Sequence, residues 1–169
     1  MKDFEKIKPE KLTDNPFKLI GDDWFLITAG TKEHFNTMTG GWGHFGILWN
    51  KPTALIYVRP TRYTFEFTER HPLFTLCFFT ENQRHILNYC GKFSGRHKDK
   101  VRETGLTPEY DAEGFIWFRE ARLVVKCRKI YSGTISPENF HDERINSHYP
   151  LKDYHTQYIG EIIECLIKK

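Results

Sequence analysis

Arg59 and Arg62 flank a Pro60-Thr61 turn, and Thr61 and Thr64 add hydroxyls where the chain reads as the start of a short helix. Guanidinium forks, hydroxyls and the free N–H groups of a helix start are the parts of a phosphate site. The same residues can equally be a solvated turn, and spacing alone does not choose between the two. Upstream, Asn36, Thr37 and Thr39 precede Gly40, Gly41 and Gly43. Main chain without Cβ atoms can come close to another object, and the neighbouring amide and hydroxyls could meet a row of hydrogen-bonding atoms on it. Without such a partner the segment is a tight β-hairpin in which the glycines serve only the turn. Trp42, among the glycines, and Met38 are candidates for a flat apolar wall, whereas Trp49 reads as core.

Other chemistries find little support. The basic stretch Lys92, Arg96, Lys98, Lys100, Arg102 is interleaved with Asp99 and Glu103 and reads mostly as a solvated face. Eight histidines show no metal-ligand spacing, so no metal is expected. Neither a Gly-x-Ser-x-Gly elbow nor an HExxH motif is present. The four cysteines lack CxxC pairing and read as reduced thiols of a cytoplasmic protein. A net charge of +3 is too small to argue for nucleic acid or an anionic membrane, though it suits a small phosphorylated ligand. A basic barrel stacking nucleic-acid bases would need a continuous positive groove, and the basic residues here cluster in one loop. No signal peptide and no membrane span is expected.

The elements that would position these residues are mainly strands. With 169 residues, 39% hydrophobic and 15% aromatic, the chain suits one domain, residues 1–169, rich in sheet. After a polar lead-in, strands are expected over 24–30, 34–39 and 54–59. A helix is expected over 61–70, capped by Thr61 or Thr64, then a strand over 73–79 buried on both sides. A helix over 81–89 ends at Gly91, and a further short helix closes at Gly105. Strands over 115–118, 121–135 and 157–167 complete the set, the second long enough to need a bulge. Strands with only short helices between them point to an all-β, antiparallel Greek-key barrel with short peripheral helices, not a parallel sheet.

Three motifs in order, Asn36-Thr37-Met38-Thr39-Gly40-Gly41-Trp42-Gly43, Leu48-Trp49-Asn50-Lys51-Pro52 and Val58-Arg59-Pro60-Thr61-Arg62-Tyr63-Thr64, resemble the flavin reductase-like family. Cys90-Gly91 with Ser94-Gly95-Arg96 and Asp99-Lys100, and later Tyr158-Ile159-Gly160-Glu161-Ile162, extend the resemblance over residues 15 to 167. It implies an FMN-binding split barrel, with non-covalent FMN in a pocket at a homodimer interface. It also implies that the segment 36–42 lies along the flavin, that Arg59, Thr61, Arg62, Tyr63 and Thr64 with Ser94 and Arg96 serve the phosphate end, and that His155 approaches the ring. No residue is required as a general base. Two activities remain open: a reductase that passes a hydride from NAD(P)H to FMN, and an FMN electron carrier that does not bind NAD(P)H productively.

Overall fold

The computed structural model describes residues 3–169. Ten strands and three α-helices follow one another as β1 Phe4–Ile7, β2 Phe25–Gly30, β3 Phe35–Gly40, β4 Gly43–Leu48, β5 Lys51–Val58, α1 Tyr63–Arg70, β6 Leu73–Phe78, α2 Arg84–Lys92, α3 Lys100–Thr104, β7 Pro108–Tyr110, β8 Ile116–Phe118, β9 Leu123–Thr134 and β10 Thr156–Lys168. The main sheet runs β3-β2-β6-β9-β10-β5-β4, every pair antiparallel, with β1 added to β10. β3 and β4 are the two ends of that order, yet only Gly41 and Trp42 separate them in sequence. Two residues span roughly 7 Å at full extension, so the ends must meet and the sheet must roll into a barrel. No ladder joins β3 to β4, which leaves the barrel split at that seam.

Alternation along the strands feeds two apolar clusters. Phe25, Ile27 and Ala29 of β2, Phe74, Leu76 and Phe78 of β6, and Leu123, Val125 and Cys127 of β9 share one with Phe67 of α1. Leu26, Cys77 and Val124, the intervening residues, join Ile86, Leu87, Trp117 and Phe118 in the other. These runs are mostly apolar because both faces are buried, as expected for 73–79. The long strand β9 carries its expected bulge: Ile159 faces Tyr131 and Gly160 faces Lys129, which leaves Ile130 without a partner. Opposite this bulge a Cβ on Gly160 would lie 2.5 Å from the Phe74 ring and 2.7 Å from Cys127 Cβ. Gly160→Ala is therefore expected to cost about 2 kcal/mol, read as a lower urea midpoint with an unchanged slope.

Several expectations need correction. Residues 43–48 form β4, which its glycines concealed, and the supposed lead-in contributes β1. The hairpin lies between β4 and β5, not around Gly40 and Gly41. Its two-residue turn, Trp49-Asn50, has φ of 51° and 59°, the left-handed pair of a type I′ turn. Trp49 is consequently 59% exposed rather than core. Helix α1 starts at Tyr63 and is entered through Arg62 without a side-chain cap, so neither Thr61 nor Thr64 caps it. Helix α2 runs through Gly91 to Lys92, whereas α3 does close at Gly105, whose φ is +70°.

Candidate functional site

The turn from β5 into α1 is built locally. Pro60 lies two residues beyond Val58, the last ladder residue of β5, and Arg62 N donates to Arg59 O at 3.0 Å, which turns the chain into the helix. Thr61, Arg62 and Thr64 then line one small cleft of about 110 Å³ with Ser94, Lys100 and Met38. Asn36 Nδ2 donates to Thr64 Oγ1 at 2.8 Å and ties β3 to the helix start. With that lone pair used, the Thr64 hydroxyl proton is available to an acceptor in the cleft.

Two cations meet here without an anion. Arg62 Nη2 donates to Gly91 O at 2.9 Å, and Lys100 Nζ donates to Thr37 O at 2.8 Å and Cys90 O at 2.9 Å. Neither is ion-paired among the described residues. Lys100 is only 5% exposed. Burial, helped by the charge of Arg62, pushes its ammonium down to about 8, and burial with the Arg59 charge lowers Arg62. A buried ammonium held by carbonyls alone is costly, and an anion between hydroxyls, guanidinium and ammonium would offset that cost. The donor set therefore fits a phosphate.

Sequence reasoning placed Arg59 on this anion, but the structure turns it away. Its Nη1 holds both oxygens of Asp153 at 2.8 and 2.9 Å, its Nη2 donates to His148 O at 2.7 Å, and the guanidinium lies 5.1 Å from the centre of the Tyr149 ring. Arg59 thus clamps the segment before β10. Arg96 is similarly engaged, paired to Glu66 at 2.5 Å and stacked 4.7 Å from the centre of the Tyr63 ring. Ser94 Oγ accepts from Arg96 N at 3.2 Å and lines the cleft, so its proton remains available to an acceptor there. Lys100 was read as part of a solvated face. Asp99-Lys100 belongs to the motif that carries the resemblance, and the Asp99 cap, which accepts from Arg102 N, places a helix without burying its first residue.

Along β3 the hydroxyls are mostly spent inside the chain. Thr37 Oγ1 donates to Ile27 O at 3.2 Å and Thr39 Oγ1 to Leu87 O at 2.5 Å. What β3 still offers is main chain along the edge away from β2. Gly40, Gly41 and Gly43 do not have left-handed backbone. Added Cβ atoms would meet Phe25 at 2.9 Å, Trp24 at 2.9 Å and Leu55 O at 2.7 Å respectively, so these glycines relieve crowding where the chain crosses the seam. Met38 is buried in the barrel cluster.

Beyond the glycines Trp42 is 47% exposed. It lines an open, mainly apolar cavity of about 440 Å³ with Phe17, Ile20, Phe45, His44 and Tyr57. Its indole lies 5.0 Å from the ring of His155 and 5.6 Å from that of His148. His155 is buried, and its Nδ1 is 2.9 Å from Tyr149 Oη. Burial, then the Arg59 charge, lowers this imidazole to about 4, so it is neutral at ordinary pH. The expected residues thus fall into two groups, an anion cleft at Arg62, Thr64, Ser94 and Lys100, and an aromatic wall at Trp42 and His155, with β3 between them.

Comparison with known proteins follows the same lines. The sequence profile described as "Flavin reductase like domain" matches residues 20–169. Among solved structures, an FMN-binding domain of a flavin reductases-like enzyme from Shewanella baltica superposes with a TM-score of 0.71 at 17% identity, covering 98% of this chain and 78% of that one. Flavoredoxin of Desulfovibrio vulgaris gives 0.68 at 20% identity, with coverage of 98% and 78%. Flavoredoxin from Methanosarcina acetivorans gives 0.67 at 22%, with 98% and 76%. No curated protein matches significantly. The antiparallel split barrel with short peripheral helices is the architecture these structures share with the chain. Among the described residues no helix is long and apolar enough to cross a membrane, and no cluster of side chains could hold a metal ion.

Proposed function

Because the chain belongs to the flavin reductase-like domain family, matched over residues 20–169, we propose that it binds FMN non-covalently and works as an NAD(P)H-dependent FMN oxidoreductase. The observation that carries the binding is the buried Lys100 ammonium and the half-buried Arg62 guanidinium, neither ion-paired among the described residues, beside the hydroxyls of Thr61, Thr64 and Ser94 at the start of α1. Arg62 and Lys100 would hold the phosphate. The edge of β3 away from β2, with Gly41 beyond it, would run beside the flavin, with Trp42 and His155 walling the ring. When bound, the isoalloxazine supplies the redox chemistry, and the protein's part is to orient it and keep one face reachable. A neutral His155 donates or accepts a hydrogen bond there without adding charge.

A second reading, an FMN electron carrier, uses the same site. The exposure of Trp42 beside an open cavity suits approach by a protein partner as well as by a nicotinamide ring. In either case the setting is cytoplasmic, in keeping with four buried free thiols.

Titration of the apoprotein with FMN and riboflavin, followed by flavin absorbance, tests the binding. FMN is expected to bind at least tenfold more tightly, since riboflavin lacks the group that Arg62 and Lys100 face. Equal affinities would sink the phosphate assignment. Stopped-flow mixing of the loaded protein with NADH or NADPH then separates reductase from carrier, because only a reductase bleaches the flavin at a catalytically useful rate.

We further propose a homodimer built on β4, the unpaired end of the sheet, whose exposed Ile47 and Leu48 adjoin the exposed Trp49 and Tyr131. Apolar side chains on an uncharged edge strand are what monomers avoid. Sedimentation over a dilution series is expected to show a dimer that dissociates together with its flavin, because ligand affinity and assembly are linked. A monomer holding FMN stoichiometrically would rule out a shared pocket.

A further inference from the structure

The segment between β9 and β10 folds back over the end of the barrel, where Arg59 pins it through Asp153 and His148 O. Within it Tyr149 is buried and wedged against Tyr154, at 4.9 Å between ring centres, and Phe140, at 6.1 Å. Its hydroxyl meets His155 Nδ1 at 2.9 Å. A phenol is the stronger donor and a neutral imidazole nitrogen the stronger acceptor, so the hydroxyl proton is directed to Nδ1. The proton of the neutral imidazole must then sit on Nε2, which has no partner within the described chain. Burial and the charge of Arg59 favour this state, and only the Asp153 charge opposes it among the described groups. Arg59 repels a second proton, Tyr57 and Trp42 offer aromatic faces, His148 packs against Trp42, and Asp153 is spent on Arg59.

We infer that Tyr149 is a positioning residue: it fixes His155 as a single neutral tautomer whose Nε2–H is offered, beside Trp42, to an acceptor atom on a flat ring bound there. The functional half of this rests on the flavin reading, whereas the tautomer does not need the ligand. A donor whose proton is fixed by a buried partner is already oriented before a ring arrives, and ordering it costs nothing on binding.

The experiment is nitrogen-detected NMR of histidine-labelled protein, without and with FMN, on the parent and on Tyr149→Phe. The variant keeps the ring stacked between Tyr154 and Phe140 and removes only the hydroxyl. In the parent apoprotein His155 is expected to show one Nε2–H tautomer and to titrate near about 4. In Tyr149→Phe both tautomers are expected, with the midpoint moved up toward the ordinary value of about 6.5. Flavin reduction in the loaded variant should fall about tenfold at pH 7, one net hydrogen bond's worth, and gain a titration limb near pH 6 that the parent lacks. An unchanged tautomer and midpoint in the variant overturns the proposal. Should the variant fail to fold, a parent His155 with mixed tautomers or an ordinary midpoint overturns it, and a single Nε2–H tautomer upholds it. Absence of FMN binding with the tautomer shift intact would defeat the flavin reading and leave the positioning by Tyr149 standing.

Discussion

Lys100→Met is expected to weaken FMN binding about 100-fold while leaving the apoprotein within about 1 kcal/mol of the parent's stability. The two halves have separate causes. A charge-assisted hydrogen bond to phosphate contributes roughly 1.5–3 kcal/mol, and that is lost with the ammonium. In the apoprotein the ammonium is itself a burden, because it is buried with Thr37 O and Cys90 O as its only partners among the described residues. Methionine leaves those carbonyls without a donor but removes the buried charge, so the two changes offset each other. The pH dependence identifies the cause. With a folded-state value of about 8 against 10.5 for the free side chain, Lys100 holds its proton less tightly folded than unfolded. The unfolded chain therefore binds more protons between those values, and apoprotein stability rises with pH across that window, by roughly 3 kcal/mol from this group. Below about pH 8 the penalty is fully present. FMN supplies an anion that holds the proton on Lys100, so the loaded parent should show a flattened slope, and Lys100→Met should show none with or without FMN. Urea unfolding at pH 7.5 and 10 on all four samples decides it. A parent apoprotein with no excess slope over the variant would mean that the ammonium is not strained.

Lys126→Met should be the most damaging single change to the fold, about 3 kcal/mol or more in urea unfolding at pH 7. Lys126 is one residue from Val125 and Cys127 on β9, whose side chains enter the barrel cluster, so it must point to the opposite face. There it is buried, with its Nζ 4.5 Å from the centre of the Trp117 ring, and it pairs with Asp111 at 2.9 Å and Glu164 at 2.7 Å. The contact joins β9, β10 and the short ribbon of β7 and β8. Methionine fills the volume but strands two carboxylates, of which Glu164 retains only Lys6 and Asp111 only the backbone N–H groups of Glu113 and Phe115. Burial raises both carboxyl groups, but the Lys126 hydrogen bond and charge, together with backbone N–H groups on Asp111 and Lys6 on Glu164, hold both below their ordinary values. Groups lowered in this way stabilise the fold above their unfolded values of 3.8 and 4.5, and that stability is lost as pH falls through the folded values. The parent should therefore lose stability more steeply than Lys126→Met below about pH 4, and the two curves should converge in acid. A variant as stable as the parent at pH 7 would show that the cluster is replaceable by apolar packing.

The strands that were legible, 73–79 and 121–135 among them, are those whose residue types speak locally. The near-continuous apolar run of the first requires burial on both faces, and the length of the second requires a bulge. β4 was hidden because Gly43 and Gly46 carry no strand propensity, and its partner β5 defines it through the ladder from Gly43–Ile56 to Leu48–Lys51. Likewise the Trp49-Asn50 turn is legible only when both flanking strands are known, since Trp is an improbable residue at φ of 51°.

The order of motifs along the chain, which is local residue chemistry, already determined the family, the antiparallel barrel and the cluster of hydroxyls and arginine at 61–64. The tertiary structure alone decided which cations face the cleft. Arg59 and Arg62 lie three residues apart at the same turn, yet Asp153 and His148 O, about ninety residues away, draw one of them aside. Lys100 looks like its solvated neighbours in sequence and is buried only because α2 and β3 close over it through Cys90 O and Thr37 O. Partnership of that kind depends on which distant carbonyl or carboxylate the folded chain brings within 3 Å, and no local spacing encodes it.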